Sequence, residues 1–247
     1  MRRDDEFYVG YQPRAPRGLG RSAMRVTFGL LLLGLGAALL LASRQRPPAP
    51  AVFEYGELRA FLGVVRERPY PMLLLRRPGI DLQTGVYLLA GQGKHGASAV
   101  AGQDGRSVQL AGTLIYRGHR TMVEIGDQVE FLPDPEPVSA PDETDLGPVT
   151  LQGEIVDSKC HLGAMNPGDG PTHRLCALRC LRGGLPPLLA VAGADPVILA
   201  GMDGGPLPAD ALQFVGIRVE VGGRLRLLGE WRVLRVDPAS IRPVAGP

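Results

Sequence analysis

The sequence predicts a mainly β protein: an N-terminal transmembrane helix, then two small OB-like antiparallel β-barrels in tandem, the second with a short Cys-bearing helix. Three observations carry this reading. An uncharged apolar run stands near the N-terminus, short β-rich runs separated by Gly turns fill the remainder, and all three cysteines fall in one segment.

Val26–Ala42 (VTFGLLLLGLGAALLLA) has no polar face and is bounded by Arg25, Arg44 and Arg46. At about 1.5 Å rise per residue it spans a hydrocarbon core of about 30 Å once the flanking arginines snorkel. Arg2, Arg3, Arg14, Arg17, Arg21 and Arg25 precede the run, and Arg44 and Arg46 closely follow it. The positive-inside bias therefore places the tail 1–25 in the cytoplasm, the helix 26–43 in the membrane and the remainder outside. Leu40-Leu41-Ala42 lacks the small residue of an A-x-A cleavage site, so an uncleaved anchor is expected. The composition, rich in Arg, Ala, Gly and Leu and poor in Lys, points to a GC-rich bacterial genome. The address would be the bacterial inner membrane with periplasmic domains, a compartment that favours oxidised thiols.

Residues 44–52 read as a Pro-rich stalk (RQRPPAP within it), semi-rigid in solution. The first β domain is expected over 53–132, with strands at Tyr70–Arg76, Val86–Ala90, Ser107–Tyr116 and Thr121–Ile125. A Pro-rich acidic linker over 133–149 has no apolar period. The second domain, 150–243, offers strands at Leu151–Val156, Leu188–Val191, Val197–Ala200, Phe214–Val221, Arg224–Gly229 and Trp231–Val236. In each half a Gly-bearing strand leads through a basic turn into a final strand, the bend that a small closed barrel needs. Five strands per barrel fit the length.

Composition excludes nucleic-acid binding. The formal net charge is +2 and aromatics make up 5 % of the chain, whereas single-strand binders need a basic groove with stacking rings. Trp231 is expected in the core. Gly91-Gln92-Gly93-Lys94-His95-Gly96 lacks the residue order of a phosphate loop and reads as a surface turn, with His95 at a domain contact. His119 belongs to a solvated hairpin turn. Glu124 with Asp127, and Asp142 with Glu143, have no partner base, and no Ser-His-Asp constellation is present.

The chemistry concentrates in Val156–Pro187 (VDSKCHLGAMNPGDGPTHRLCALRCLRGGLPP). A strand end is followed by a turn at Asp157–Lys159 and a Gly- and Pro-dense loop, then a helix from His173 to Leu181 or Arg182, N-capped by Thr172, with Asp169 or Asp157 as rival caps, and stopped by Gly183-Gly184. His173, Cys176 and Cys180 lie at i, i+3 and i+7 and share one face. Cys160 closes over that face from the strand end, with His161 and Met165 as additional donors. A Cys₃His set suits zinc, and two thiolates with a histidine or methionine suit copper. In an oxidising compartment the competing use is a disulfide of Cys160 with Cys176 or Cys180, leaving one spare thiol. C-x₃-C is not the thioredoxin spacing.

The pattern Gly153, Val156-Asp157, Cys160, His173, Cys176-Ala177, Cys180, Gly183-Gly184, Pro186 resembles small exported, membrane-anchored bacterial proteins with an OB-like barrel and no assigned activity. The resemblance covers roughly 150–240 and implies a fold and an exported location. The tail Phe7–Pro16 is similar to that of bacterial membrane proteins of unassigned function. The expected role is an accessory or binding module, metal-binding or assisting a redox or respiratory system, with the lipid bilayer and another membrane or periplasmic protein as partners. The alternatives are a thiol or metal redox protein cycling Cys176 and Cys180, and a structural interaction protein with one disulfide.

Overall fold

The computed structural model describes residues 17–44, 50–76, 84–133, 138 and 141–244. Of the expected cytoplasmic tail the residues up to 16, of the expected stalk residues 45–49, and of the expected linker most of 134–140 lie outside the described residues. Two compact units form, Met1–Pro48 and Ala49–Pro247.

In the first unit, helix α1 (Arg17–Arg44) runs unbroken through the apolar stretch. Its Gly18–Arg44 portion is long and apolar enough to cross a membrane. At about 1.5 Å per residue it extends about 40 Å.

The second unit holds two closed five-stranded barrels. The first contains β2 (Arg59–Arg66), β3 (Met72–Arg76), β4 (Thr84–Ala90), β5 (Ser107–Arg117) and β6 (Arg120–Phe131), with the short β1 (Ala51–Phe53) added on β5. The second contains β7 (Glu143–Asp157), β8 (Pro187–Ala190), β9 (Val197–Gly201), β10 (Arg218–Leu228) and β11 (Trp231–Val236), with β12 (Arg242–Pro243) added on β10. Both close alike. The first three strands form an antiparallel meander, the third pairs in parallel with the fifth, and the fourth bridges the fifth back to the first.

Alternation along the strands explains why the barrels do not separate. In β3, Leu73 and Leu75 point into the first barrel while Met72 and Leu74 point out of it. In β9, Val197 and Leu199 fill the second barrel while Ile198 and Ala200 point out. The outward sets, joined by Val86, Leu88, Met122, Leu188, Trp231 and Val233, form a third core between the barrels. Apolar runs such as MLLL and VILA are thus buried on both faces, as in a covered sheet. The two halves are one fused body rather than two beads.

Three differences from the expected strands have physical causes. Arg59–Arg66 and Ala51–Phe53 are strands that no clear alternation announced. The expected Phe214–Val221 and Arg224–Gly229 merge over Arg218–Leu228 into one strand, β10, which runs through Gly222-Gly223 because that pair lies in register with Thr150, Val149 and Val236, while Phe214 ends a 3-10 turn before it. The acidic end of the expected linker is the start of β7, where Glu143 and Asp145 face an arginine ladder. Arg224 Nε donates to Asp145 Oδ2 at 2.6 Å, and Arg235 Nη2 and Arg226 Nε reach Glu143 Oε2 at 2.9 and 3.2 Å. What looks like linker acidity supplies cross-strand charge pairs.

Candidate metal and thiol centre

The insertion between β7 and β8 carries the site. β7 ends at Asp157, and Cys160–Ala164 form one wide helical turn. Helix α2 (Arg174–Arg182) follows after a loop. His173 is the residue capping α2, in place of the expected Thr172, and its side chain makes no capping bond. It is held instead by the first turn: His173 Nε2 lies 3.1 Å from Asp157 Oδ2, and Asp157 Oδ1 accepts from the Cys160 amide at 2.9 Å. Asp157 and His173 are both buried. A buried carboxylate survives where it meets a charged or polar donor on each oxygen.

The three cysteines are free thiols, and their sulfurs all lie within 4.8 Å of one another. Cys160 and Cys180 are buried and Cys176 is half-buried. Helical spacing brings Cys176 and Cys180 together, and the wide turn after β7 brings Cys160 onto them. A second group, Asp157, Cys160 and His173, has its donor atoms within the same 4.8 Å limit. The expected four donors are therefore shared between two overlapping groups that meet at Cys160. His161 belongs to neither: it is buried, 3.6 Å from Asp169 through Nδ1, and Arg117 Nε donates to its carbonyl at 2.7 Å. Met165 is exposed at the end of the turn. No disulfide joins Cys160 to Cys176 or Cys180 in this structure.

The thiols are not equivalent. The Cys160 thiol donates to Cys180, and this bond with burial holds Cys160 protonated, well above the usual thiol range. The same bond, received rather than given, pulls the Cys180 thiol down. Cys180 is the favoured thiolate of that pair.

The first barrel supplies what sequence reasoning missed. Lys94, read as part of a surface turn, donates to Cys176 Sγ at 2.7 Å and stands 3.9 Å from Cys180 Sγ. The bond to Cys176 raises the Lys94 ammonium above its ordinary value. The loop reaches α2 through its backbone. Gly96 N donates to the Gly183 carbonyl at 2.8 Å, and a Cβ on Gly183 would collide with the Lys94 carbonyl. Lys159, next to Cys160, returns the contact: its ammonium donates to the carbonyls of Gly91 and Gly93 at 2.9 and 2.7 Å and pairs with Glu124 at 2.7 Å. The expected domain contact is made by Lys94 and the loop glycines, while the His95 side chain is exposed. A signal was present: Lys94 and Lys159 are the chain's only lysines among 27 basic residues, and both lie at this junction. A compact ammonium fits against a sulfur or a carbonyl pair where a planar guanidinium does not.

Comparison of the chain with protein-family models, with curated proteins and with solved structures yields no match. The site is read from its own geometry.

Proposed function

We propose that this chain is a single-pass, membrane-anchored periplasmic accessory module that holds a soft metal ion in the thiol centre between two tandem OB-like barrels and assists a membrane or periplasmic redox or respiratory system. One observation carries the reading: three thiols converge within 4.8 Å, two of them buried, at the seam of a fused two-barrel body. Three sulfurs so placed bind zinc or copper when deprotonated. The parallel pairing of third and fifth strands and the closure of first on fourth support the OB reading for both halves. The arginine asymmetry around α1 supports a cytoplasmic N-terminus, an inner-membrane anchor and periplasmic barrels. The partner is then another membrane or periplasmic protein, and not a nucleic acid. The resemblance of residues 150–240 to exported bacterial proteins agrees with that address.

Elemental analysis of the anaerobically purified full chain tests the reading. One equivalent of zinc or copper, lost in Cys176→Ser, supports it, and a metal-free protein with three reactive thiols after metal loading overturns it. Reporter fusions at each end of α1 test the orientation.

A second reading is favoured by the asymmetry of the thiols: a redox protein using Cys176 and Cys180, with Lys94 beside the accessible sulfur. It requires a readily reduced disulfide, so a resistant bridge, or none formed on mild oxidation, removes it.

A further inference from the structure

We infer that the thiol centre is a three-coordinate site for monovalent copper, closed on its fourth side by the ammonium of Lys94; this rests on the metal-binding reading above and names the ion. The donor set decides it. The mutually close group containing both helix cysteines is Cys160, Cys176 and Cys180, with no nitrogen or oxygen ligand among the described residues that joins all three. His173 spends Nε2 on Asp157 at 3.1 Å and groups with Cys160 but not with the helix thiols. A structural zinc ion is almost always four-coordinate, so it needs a fourth donor where this site places a cation. Lys94 Nζ stands 2.7 Å from Cys176 Sγ and 3.9 Å from Cys180 Sγ. An ammonium has no lone pair to give, and it repels a divalent ion more than a monovalent one.

Copper(I) reverses both difficulties. Thiolate sulfur is the soft donor it prefers, and three sulfurs suffice for it. Three thiolates around a +1 ion leave a surplus of two negative charges at a largely buried site. A lysine ammonium on the rim offsets part of that surplus, and partial burial makes the offset stronger than on open surface. The geometry also leaves a route in: Cys176 is half-buried and Lys94 exposed, while Cys160 and Cys180 are closed off behind them. Binding releases thiol protons and changes no oxidation state, so no oxidant or reductant takes part.

The test uses the full chain in detergent, reduced and anaerobic, titrated with copper(I) against a chromophoric copper(I) chelator and, separately, with zinc(II). X-ray absorption reads the ligand set. The expected result is one copper(I) per chain bound by three sulfurs, unchanged in His173→Asn, with affinity about tenfold lower in Lys94→Met and the three-sulfur signature kept. Circular dichroism of both variants confirms the fold. One zinc ion held by four ligands including His173, and not displaced by copper(I), overturns this inference and leaves the metal-binding function standing. Retention of neither ion overturns both. Unchanged copper affinity in Lys94→Met removes the role given to Lys94.

Discussion

The two barrels close with the same strand order, yet the connection between their first and second strands differs in length and in chemistry. In the first barrel it is the five residues Glu67–Pro71; in the second it is the twenty-nine residues Ser158–Pro186, which carry every cysteine. The two connections make reciprocal contacts. The short one offers Tyr70, whose hydroxyl donates to the Leu199 carbonyl at 2.9 Å and accepts from Leu207 N at 2.8 Å, on the loop after the second barrel's third strand. The long one meets Lys94 and Gly96, on the loop after the first barrel's third strand. Where one end of the seam has a satisfied, buried phenol, the other has a thiol cluster. Burial holds the Tyr70 phenol well above its usual range, so it stays neutral and structural. The scaffold is common to both ends, and the reactive chemistry comes from the insertion.

The largest blow to the comparison would come from the element both ends share. Trp231 is fully buried in the core between the barrels, donates to the Val86 carbonyl at 2.8 Å and lies under the Arg120 guanidinium, 5.5 Å from the ring centroid. Trp231→Ala should cost about 3–5 kcal/mol in urea unfolding and loosen both ends together. If only one end responds, the shared core is not what couples them.

Acid should act next, and at the thiol end. Burial first, and then the nearby Arg117, push the His161 imidazole down from 6.5 to about 4. The unfolded chain therefore binds the proton more readily. The stability from keeping His161 neutral is complete above about pH 6.5 and is lost as pH falls towards 4, by up to about 3 kcal/mol. His161→Asn should flatten that slope between pH 6.5 and 4 in chemical-denaturation curves; an unchanged slope assigns it to other groups.

The two ends are then separated by a matched pair of substitutions. Tyr70→Phe strands the Leu207 amide and should cost about 1–3 kcal/mol while leaving metal retention and thiol reactivity as they were. Gly183→Ala places a methyl against the Lys94 carbonyl, so the loop must shift. A cost of about 1–3 kcal/mol is expected, with slower alkylation of Cys176 as the Lys94 ammonium withdraws from its sulfur. Equal effects of both on Cys176 alkylation would erase the distinction between plug and centre.

The smallest effect on stability belongs to the residue most exposed to solvent at the site. Lys94→Met should change the unfolding free energy by less than about 1 kcal/mol, because the ammonium sits at the rim. Its signature is chemical: slower alkylation of Cys176 at neutral pH, since the ammonium that donates to its sulfur at 2.7 Å is gone.

Much of this arrangement is legible in the chain and some is not, for definite reasons. The apolar run, the short helix with Cys176 and Cys180 on one face, and the closure of Cys160 onto them follow from local periodicity, and the structure has each. The start of β7 was hidden because Glu143 and Asp145 resemble linker until the arginines of β10 and β11 stand opposite. The fusion of the barrels was written in runs such as MLLL and VILA, which only a strand covered on both sides can use. Lys94 was out of reach of local reasoning, since it joins Cys176 across 82 positions of sequence. Asp157 was visible only as a turn residue and a rival helix cap, and its role follows from a bond to a histidine 16 positions away.

The seam also sets an order of events as the chain is made. Synthesis delivers Lys94 first, the three cysteines next and Trp231 among the last strand residues, and domains form as their sequence becomes complete. Until β11 inserts Trp231 between the barrels, the core that Trp231 shares with Cys160 and Cys180 is incomplete. Every newborn copy thus passes through an interval with that shared core open, and the last strand of the second barrel ends that interval.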